Sequence, residues 1–497
     1  MILFFETTHQ TVIAVQSTSK PEPEDIAKLN WLFGGSVLLE TPVLEGWYVG
    51  PRKEMLTPWS TNAVEITQNM GIRGLVRMEE LFPAEGPDAR YDHMLQALYH
   101  NPGQEIFTIL HEPEPVRDVE DIAAYNEKEG LALSEEEIAY LNSVSEALGR
   151  PLTDSEVFGF SQVNSEHCRH KIFNGTFIID GKEMDSSLFH LIKKTSKENP
   201  NRIVSAYRDN CSFVQGPVAE QFAPESQDKP DWFRVSDMET VLSMKAETHN
   251  FPTTVEPFNG ASTGTGGEIR DRMAGGTGSL PIAGTAVYMT AYPRTEDARA
   301  WEQATEPRPW LYQTPEEILI KASNGASDFG NKFGQPLIAG SVLTFEHEEN
   351  DKKLGYDKVI MLAGGIGFAK AAHSQKKIPV PGDRIILLGG DNYRIGMGGG
   401  AVSSVATGEY ENAIELNAVQ RANPEMQKRV YNAIRALAEA DDNPVISIHD
   451  HGAGGHLNCL SELIESTGGI IDTTLLPIGD PTLSQKEIIG NESQERM

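Results

Sequence analysis

The sequence has little of what extracellular or membrane proteins depend on. It contains three cysteines in 497 residues, none of them in a Cys-x-x-Cys pair, so a disulfide framework is excluded and a reducing compartment is favoured. Its first residues, MILFFETTHQ, lack the basic segment that begins a signal peptide, and no apolar run approaches the ~20 residues of a membrane helix. We therefore expect a cytoplasmic protein that has no contact with a membrane.

Positive charge is also scarce. Lys and Arg total 42 against 72 Asp and Glu, which gives a net charge of −30. A field of that sign repels phosphate backbones, so we expect no nucleic-acid partner, and an anionic substrate would need a local basic pocket. A phosphate loop of the G-x-x-x-x-G-K-[ST] type is missing too, because the one Gly-Lys pair, Gly181-Lys182, is followed by Glu183.

Length and hydrophobic pattern predict several domains of mixed α and β structure. A chain of 497 residues exceeds what one hydrophobic core usually organises. Residues 1–140 alternate short apolar runs with stretches of helical spacing, and a helix-rich segment follows at 141–217. Glycine-rich loops separate β-rich runs over 218–372, and the β-rich run RIILLGG is expected to open a fourth unit at 373–497.

The densest chemistry lies in the stretch KAETHNFPTTVEPFNGASTGTGGEIRD, residues 245–271. If VLSMKAE is a strand, Lys245, Glu247 and His249 alternate onto one face, which brings a cation, a hard oxygen ligand and an imidazole together. Glu247 and Asp271 suit Mg²⁺, which prefers carboxylate, water and phosphate oxygens. This face is therefore predicted to carry phosphate, metal and proton chemistry.

Four glycines follow in the same stretch, at positions 260, 264, 266 and 267. As a loop, they would let backbone N–H groups approach phosphate oxygens, and Arg270 would pair with a phosphate. The alternative is a structural loop with surface charges, since glycine runs have many uses.

Two histidine-rich segments are further candidates. In SEHCRHK, residues 165–171, neighbouring cations favour neutral imidazoles that can accept a proton, whereas Cys168 has no accompanying base and is interpreted as structural. VISIHDHGAGGH, residues 445–456, is predicted to be a strand running into a glycine turn, with Asp450 facing a ligand. A zinc site of His449, His451 and His456 is the alternative, although its spacing is unfamiliar.

Taken together, FSQVNSEHCRHK, KAETHNFPTTVEPFNGASTGTGGEIRD, SDFGNKFGQP, YRIGMGGGAVSS, VQRANPEMQ, HDHGAGG and NESQERM resemble the phosphoribosylformylglycinamidine synthase family. VGPRK and PWS near the N-terminus resemble its large, single-chain form. The resemblance implies an α+β chain with a PurS-like N-terminal domain at 1–140 and a helical linker domain with the SEHC motif at 141–217. It also implies a first PurM-like synthetase half, whose ATP-binding N-terminal subdomain covers 218–372 and whose truncated C-terminal subdomain covers 373–497.

The family makes formylglycinamidine ribonucleotide from formylglycinamide ribonucleotide in de novo purine biosynthesis. ATP phosphorylates the amide oxygen, and ammonia derived from glutamine displaces phosphate from the iminophosphate. The resemblance implies ATP and Mg²⁺ as cofactors, and it implies that ammonia comes from a glutaminase domain that this chain lacks. As an N-terminal part, the chain is expected to be inactive alone and to self-associate through an uncovered apolar face. The alternatives are another PurM-like ATP-dependent enzyme and a non-catalytic, nucleotide-binding scaffold half.

Positions that match the family's motifs supply the site residues that the resemblance implies. The catalytic histidines are His167 and His249, and His170 stands where the small form has a nucleotide-contacting tyrosine. Nucleotide contacts are implied for Lys245, His170, Gly260, Thr263, Gly264, Gly266 and Gly267. Substrate contacts are implied for Thr248, Asn250, Phe251, Arg270, Gln420, Glu492, Ser493 and Gln494, and magnesium ligands for Glu247, Asp271 and Asp450.

Overall fold

The structure is a computed structural model that describes residues 1–295, 299–303, 312–399, 418–492 and 495–497. Helices and strands are mixed along the chain, as the sequence predicts. Two compact units result: the first contains residues 1–114, 391–394 and 477–484, and the second contains 115–390, 395–476 and 485–497.

The first unit is built on one antiparallel sheet. Its strands are β1 (Ile2–Glu6), β2 (Val12–Ser17), β3 (Val37–Leu39), β4 (Trp47–Pro51), β5 (Leu75–Ala84) and β6 (Gln96–His100), and its helices are α1 (Pro23–Leu32) and α2 (Pro58–Asn69). The strand order is β3-β1-β2-β5-β4-β6.

Both faces of this sheet are apolar, because successive side chains of a strand point to opposite sides. Phe5 packs with Leu29 of α1 and Ala63 of α2. Phe4 faces the other side, where Phe107 belongs to the same buried cluster. The sheet is therefore covered by helices on one face and by loop residues on the other.

The second unit begins with a helical region. Its helices are α3 (Ile122–Glu129), α4 (Glu135–Leu148), α5 (Asp154–Val163), α6 (Glu166–Arg169), α7 (Lys171–Asn174) and α8 (Leu188–Glu198), joined by the short strand pairs β7 (Asp118–Val119) with β8 (Leu152–Thr153) and β9 (Ile178–Ile179) with β10 (Lys182–Glu183). Helices α4 and α5 each start with a capping box, formed by Ser134 with Glu137 and by Thr153 with Glu156.

A second six-stranded sheet follows. It consists of β11 (Ile203–Ser205), β12 (Ser212–Pro224), β13 (Phe233–Thr248), β14 (Leu280–Thr290), β15 (Leu337–Thr344) and β18 (Ile360–Lys370), and β16 (Glu346–Glu349) with β17 (Lys352–Gly355) forms a separate hairpin. The order is β11-β12-β13-β18-β14-β15, and only the β14–β15 pair is parallel among these described strands. The predicted strand VLSMKAE is confirmed as the last part of β13.

Helices of the second unit pack against this sheet and against each other. They are α9 (Asn250–Val255), α10 (Pro257–Met273), α11 (Pro315–Phe333), α12 (Pro424–Glu439), α13 (Gly455–Leu463) and α14 (Gln485–Ile489), with 3-10 turns at Ala300–Gln303, Ala371–His373 and Thr473–Leu475. The largest buried cluster joins Ile269 and Met273 of α10 to Phe329 of α11 and Ile434 of α12. Among the described residues, no helix is both long and apolar enough to cross a membrane.

The glycine-rich loop predicted from Gly260 onward is wrong, because this stretch lies inside helix α10. Its glycines are needed for close packing. A Cβ atom on Gly260 would collide with the backbone of Pro252 and Thr253, and one on Gly266 would lie 2.8 Å from the ring of Phe329. Interior N–H groups of a helix donate to its own carbonyls, so they do not form a phosphate-binding loop.

Two other β-rich runs, RIILLGG and VISIH, are not strands. Ile385 and Ile386 keep 67% and 71% of their surface exposed, so this apolar run is not a buried strand. Leu388 exchanges both backbone hydrogen bonds with Met497, each 2.9 Å long, and His451 N donates to Arg496 O at 2.9 Å. Isolated backbone pairs of this kind hold the two segments in place without a strand ladder.

Candidate active site

One cavity of about 550 Å³ in the second unit gathers most of the predicted site residues. The predicted residues in its lining are His167, His170, Lys245, Glu247, Thr248, His249, Asn250, Phe251, Thr263, Gly267, Arg270, Asp271, Gln420, Asp450 and Glu492. Gly260, Gly264 and Gly266 are not in the lining, and Ser493 and Gln494 lie outside the described residues.

The end of strand β13 supplies one wall. Lys245, Glu247 and His249 are half-buried, whereas Ala246 and Thr248 between them are exposed, which confirms the predicted alternation. Three reactive side-chain types therefore share the face that is turned toward helix α10.

Helix α10 matches this face in register. Gly264 lies opposite His249, since a Cβ there would be 2.9 Å from the histidine Cβ, and Gly267 lies opposite Glu247, with 3.1 Å to Oε2. Asp271 completes the series, because its Oδ2 is 2.8 Å from Lys245 Nζ. Two residues along a strand span ~6.6 Å, and one turn of a helix, which takes three or four residues, rises ~5.4 Å. Every second residue of β13 can therefore face every third or fourth residue of α10.

The acidic end of the cavity joins distant parts of the chain. Arg270 Nε donates to Asp450 Oδ2 at 3.2 Å, and Arg270 is almost fully buried. Asn210 Nδ2 donates both to Asp271 Oδ1 at 3.1 Å and to Asp450 Oδ1 at 2.7 Å. Two of the three predicted magnesium ligands, Asp271 and Asp450, are thus neighbours, linked by an asparagine that the sequence motifs do not identify.

Burial and crowding raise the pKa of two of these carboxyl groups. The pKa of Glu247 rises to about 8 through burial and the negative charge of Asp271. The pKa of Asp450 rises to about 7 for the same two reasons, although Arg270 opposes the shift. Carboxylates that resist ionisation in this way gain from a positive ligand.

Lys245 and Asp271 form the charged pair between these groups. Burial alone would lower the pKa of Lys245, but the charges of Asp271 and Glu247 raise it above its ordinary value. Burial likewise opposes ionisation of Asp271, yet Lys245 lowers its pKa. The lysine is therefore cationic and Asp271 is ionised at neutral pH.

The predicted metal ligands do not form a complete ion site by themselves. Among the residues that the structure describes, no group of three or more His, Cys, Asp or Glu side chains is arranged to hold a metal ion. Glu247 Oε2, however, is buried and has no hydrogen-bond partner within the described part of the chain. An unpartnered carboxylate oxygen in a cavity that Asp271 and Asp450 also line fits a hard cation such as Mg²⁺.

Two histidines face the cavity as neutral bases. Burial, followed by the nearby His167, lowers the pKa of His249 to about 4. Burial together with His170 and Lys245 lowers the pKa of His167, whose side chain is still exposed toward the cavity. Near pH 7 both imidazoles are uncharged and can accept a proton.

Four further predicted substrate contacts are also part of the cavity wall. Gln420 Nε2 donates to Glu492 Oε2 at 3.2 Å, and both residues are buried in the cavity wall. Phe251 is 3% exposed and packs with Val255 and Val419, and Asn250 Oδ1 accepts from the backbone N–H of Met361 at 3.1 Å. Phe251 and Asn250 thus also support the wall that they line.

The cysteine and zinc alternatives find no support in the described structure. Burial raises the pKa of Cys168 to about 11, so the thiol is unreactive, in line with its structural interpretation. His451 Nε2 is 2.9 Å from His456 Nδ1, and Arg496 Nη1 is 2.5 Å from His456 Nε2. Both ring nitrogens of His456 therefore already have protein partners, and no metal-holding group of three His, Cys, Asp or Glu side chains is found among the described residues.

Sequence reasoning missed several lining residues. Asn210, Lys358, Asn458 and Glu462 contribute to the cavity, and Lys376 contacts Asn210 from outside it. One usable signal was the polar pair Asp209-Asn210 directly before a β-rich run, where side chains reach the end of a sheet. The other residues stand in no motif with a recognised chemistry.

Three family models match the chain. The N-terminal model of formylglycinamide ribonucleotide amidotransferase matches residues 10–102, and the linker-domain model of the same enzyme matches residues 122–171. The C-terminal domain model of AIR synthase related protein matches residues 380–497.

Curated relatives cover nearly the whole chain. It is 38% identical to phosphoribosylformylglycinamidine synthase of Homo sapiens, over 96% of this chain and 38% of the relative. It is 37% identical to the probable chloroplastic/mitochondrial phosphoribosylformylglycinamidine synthase of Arabidopsis thaliana, over 96% of this chain and 37% of the relative. The chain therefore spans somewhat more than a third of the length of these relatives.

Among solved structures, the fold is similar to T. maritima PurL complexed with FGAR. The TM-score is 0.47 and the identity is 24%, over 72% of this chain and 47% of the PurL chain.

Proposed function

Since the chain belongs to the phosphoribosylformylglycinamidine synthase family, we propose that its cavity is the site where ATP activates formylglycinamide ribonucleotide for amidine formation. The family models also confirm the expected α+β class with a PurM-like part, whereas the four domain ranges stay predictions. In this reaction ATP phosphorylates the amide oxygen, and ammonia then displaces phosphate from the iminophosphate.

The charge balance of the cavity is the observation that carries this proposal. Five carboxyl groups line it, against the three cationic side chains Lys245, Arg270 and Lys358. A polyphosphate without cations would be repelled by the ionised carboxylates and would further oppose ionisation of Glu247 and Asp450. A cavity that is acidic yet contains a buried lysine and arginine is suited to a metal–nucleotide complex.

Mg²⁺ would be held by Glu247, Asp271 and Asp450, and when bound it would neutralise triphosphate charge. Lys245, which pairs with Asp271, supplies a further positive charge toward a phosphate. Arg270 lies beside Asp450 at the acidic end and is placed to pair with an anionic group of the ribonucleotide.

The two neutral histidines suit the second half of the reaction. Ammonia becomes positively charged as it attacks carbon, and a proton must leave before the amidine forms. His249 or His167 can accept that proton, because the pKa of each is lowered and each lines the cavity. We assign His249 the closer role, since it shares the face of β13 with Glu247.

Binding of ATP to the 497-residue chain tests the proposal directly. We expect calorimetry to detect ATP binding in the presence of MgCl₂ and to lose it when EDTA is added. Asp271→Asn should weaken MgATP binding about tenfold, because it removes a formal charge from the cation site. Asp328→Asn, which alters a carboxylate paired with Lys332 on the surface of α11, is the matched control and should bind normally.

The same titration separates the two alternatives. Added formylglycinamide ribonucleotide should bind as well, and ATP hydrolysis by the intact enzyme should depend on it. A nucleotide-binding scaffold half would bind ATP but not the ribonucleotide. A different PurM-like enzyme would hydrolyse ATP with another substrate.

Glutamine use and assembly belong to the same proposal. Cys211 and Cys459 are buried and Cys168 is half-buried, and the pKa of each thiol is raised, so no described cysteine has the character of a glutaminase nucleophile. Ammonia would come from a glutaminase domain, and the chain alone should release no glutamate from glutamine.

Self-association is expected from apolar side chains exposed along β12 and β15, among them Phe222 at 69% and Ile338 at 66%. Light scattering on the purified chain would measure it, and a strictly monomeric mass would contradict it. The cytoplasmic location stays a prediction.

A further inference from the structure

We propose that Asn210 is a positioning residue that holds the carboxylates of Asp271 and Asp450 at a fixed separation for cation binding. Its amide nitrogen donates to both of them, at 3.1 Å and 2.7 Å. The inference deepens the proposed function and rests on it, because it concerns the same acidic end of the cavity.

Lys376 fixes the orientation of the Asn210 amide. Its Nζ donates to Asn210 Oδ1 at 2.9 Å, and an ammonium group can only donate. The oxygen of the amide must therefore face Lys376, which leaves the two N–H bonds of Nδ2 for the carboxylates. One hydrogen is available for each carboxylate, so the amide is fully used.

Asp209 anchors this arrangement to the rest of the unit. Its Oδ1 is 2.7 Å from Lys376 Nζ, and its Oδ2 accepts from the backbone N–H of Gly276 at 2.7 Å. Gly276 lies just after helix α10, which carries Asp271. The segment before β12, the end of α10 and the segment that carries Asp450 are therefore joined through two adjacent side chains.

A neutral double donor solves a specific electrostatic problem. Two ionised carboxylates repel each other in a partly buried site, and each needs hydrogen bonds when no cation is present. Lys245 pairs with Asp271, and Arg270 pairs with Asp450. Within the described residues, Asn210 donates a hydrogen bond to each of the two carboxylates, and it adds no charge that would compete with a cation.

Titration of the 497-residue chain with MnCl₂, followed by electron paramagnetic resonance, tests the inference. We expect Asn210→Ala to weaken Mn²⁺ binding about tenfold and to change the spectrum of the bound ion, because the two carboxylates lose their common donor. Asn199→Ala, at the exposed end of α8, is the matched control and should leave the Mn²⁺ affinity and the spectrum unchanged.

A double substitution separates positioning from a general loss of structure. In an Asp271→Asn background one of the two carboxylates is already gone, so Asn210→Ala should add little to the loss of Mn²⁺ affinity. Equal losses from Asn210→Ala in both backgrounds would overturn the inference, as would wild-type affinity and spectrum in the single variant. Circular dichroism and urea unfolding of each variant confirm that the binding data come from folded protein.

The outcomes also distinguish this inference from the proposed function. If Asp271→Asn weakens Mn²⁺ binding and Asn210→Ala does not, the cation site stands and the positioning role is wrong. If Asp271→Asn has no effect either, the cation site itself is wrong and the inference falls with it.

Discussion

Helix α10 carries two charged clusters that differ in how completely they are paired. The first, the Glu268 cluster, consists of Glu268, Arg272 and Gln335. Arg272 donates to Glu268 Oε2 through Nε at 2.9 Å and Nη2 at 2.6 Å, and Gln335 Nε2 donates to Glu268 Oε1 at 2.6 Å. Arg272 Nη1 reaches the backbone carbonyl of Ile366 at 2.7 Å. Both charged side chains are essentially inaccessible, at 0% and 1%.

The second, the Asp271 cluster, consists of Lys245, Glu247, Arg270, Asp271 and Asp450. Three carboxyl groups share two cationic side chains, and Glu247 Oε2 has no partner among the described residues. Burial, followed by the negative charge of Asp271, raises the pKa of Glu247 and that of Asp450, so ionisation of both groups is disfavoured.

Burial of charge therefore does not by itself mark a functional site. Helix α10 contributes Glu268 and Arg272 to the first cluster and Arg270 and Asp271 to the second, and all four side chains are buried. The Glu268 cluster is satisfied internally and stabilises the packing of α10 on the sheet, whereas the Asp271 cluster leaves Glu247 Oε2 without a partner among the described residues, where the proposed cation would bind.

Breaking the Glu268 cluster should have the largest effect on stability. We expect Glu268→Gln to lower the free energy of unfolding by about 3–5 kcal/mol, because it leaves the guanidinium of Arg272 buried without its counter-charge. Urea denaturation measures this. Glu316→Gln, on the exposed first turn of α11, should change the value by less than about 0.5 kcal/mol. A small loss in Glu268→Gln would mean that the two clusters are energetically alike.

Substitution of His249, which lies beside the Asp271 cluster, should lower the rate of amidine formation without lowering stability. We expect His249→Ala in the intact enzyme to lower amidine formation by about 10²-fold or more, equivalent to ~2.7 kcal/mol, while the unfolding midpoint changes little. Steady-state rates with saturating ammonia would show the loss. His347→Ala, on the exposed β16–β17 hairpin, is the control, and near-normal turnover of His249→Ala would remove this residue from the mechanism.

Replacing a glutamate by glutamine should raise stability in the Asp271 cluster, whereas the same replacement should lower stability in the Glu268 cluster. Glu247→Gln removes a carboxylate that burial and Asp271 disfavour, so we expect a gain in stability on the order of 2 kcal/mol at pH 8. The same variant should bind MgATP more weakly, because a cation ligand is lost. Destabilisation together with unchanged MgATP affinity would show that Glu247 is a structural residue like Glu268.

The contrast between the clusters was only partly accessible from the sequence. The alternation of Lys245, Glu247 and His249 follows from the period of a strand, so their shared face could be predicted. Glycines at 260, 264, 266 and 267 were compatible with either a loop or close helix packing, and only the contacts with Pro252, His249, Phe329 and Glu247 decide between them. Arg270 and Arg272 stand two positions apart, and their different partners, Asp450 and Glu268, depend on tertiary structure.

Long-range partners explain the other omissions. Asn210 meets Asp271 and Asp450 through packing of segments far apart in the chain, and no local pattern encodes that meeting. RIILLGG has the composition of a strand, but it lacks a neighbouring strand with which to form a ladder among the described residues. Hydrophobic pattern predicts which segments can form strands, whereas pairing depends on what the fold places beside them.

The smallest expected effect is a pH dependence that arises from the Asp271 cluster. The pKa of Asp450 is raised to about 7 and that of Glu247 to about 8, so the folded chain binds more protons than the unfolded chain below pH 8. Stability must then fall as the pH rises. The pKa of His249 is lowered to about 4 and that of His456 to about 3, so these histidines act in the opposite sense, but only below the ordinary value of 6.5.

Between pH 6.5 and 8 the carboxyl groups alone should therefore determine the slope, with a loss on the order of 1 kcal/mol. Urea denaturation at a series of pH values measures it. Glu247→Gln should flatten the slope, and saturating MgCl₂ should flatten or reverse it, because a cation stabilises the ionised carboxylates. Glu316→Gln, on the exposed first turn of α11, should leave the slope unchanged. An equal slope in all three proteins would mean that the Asp271 cluster is balanced without a cation.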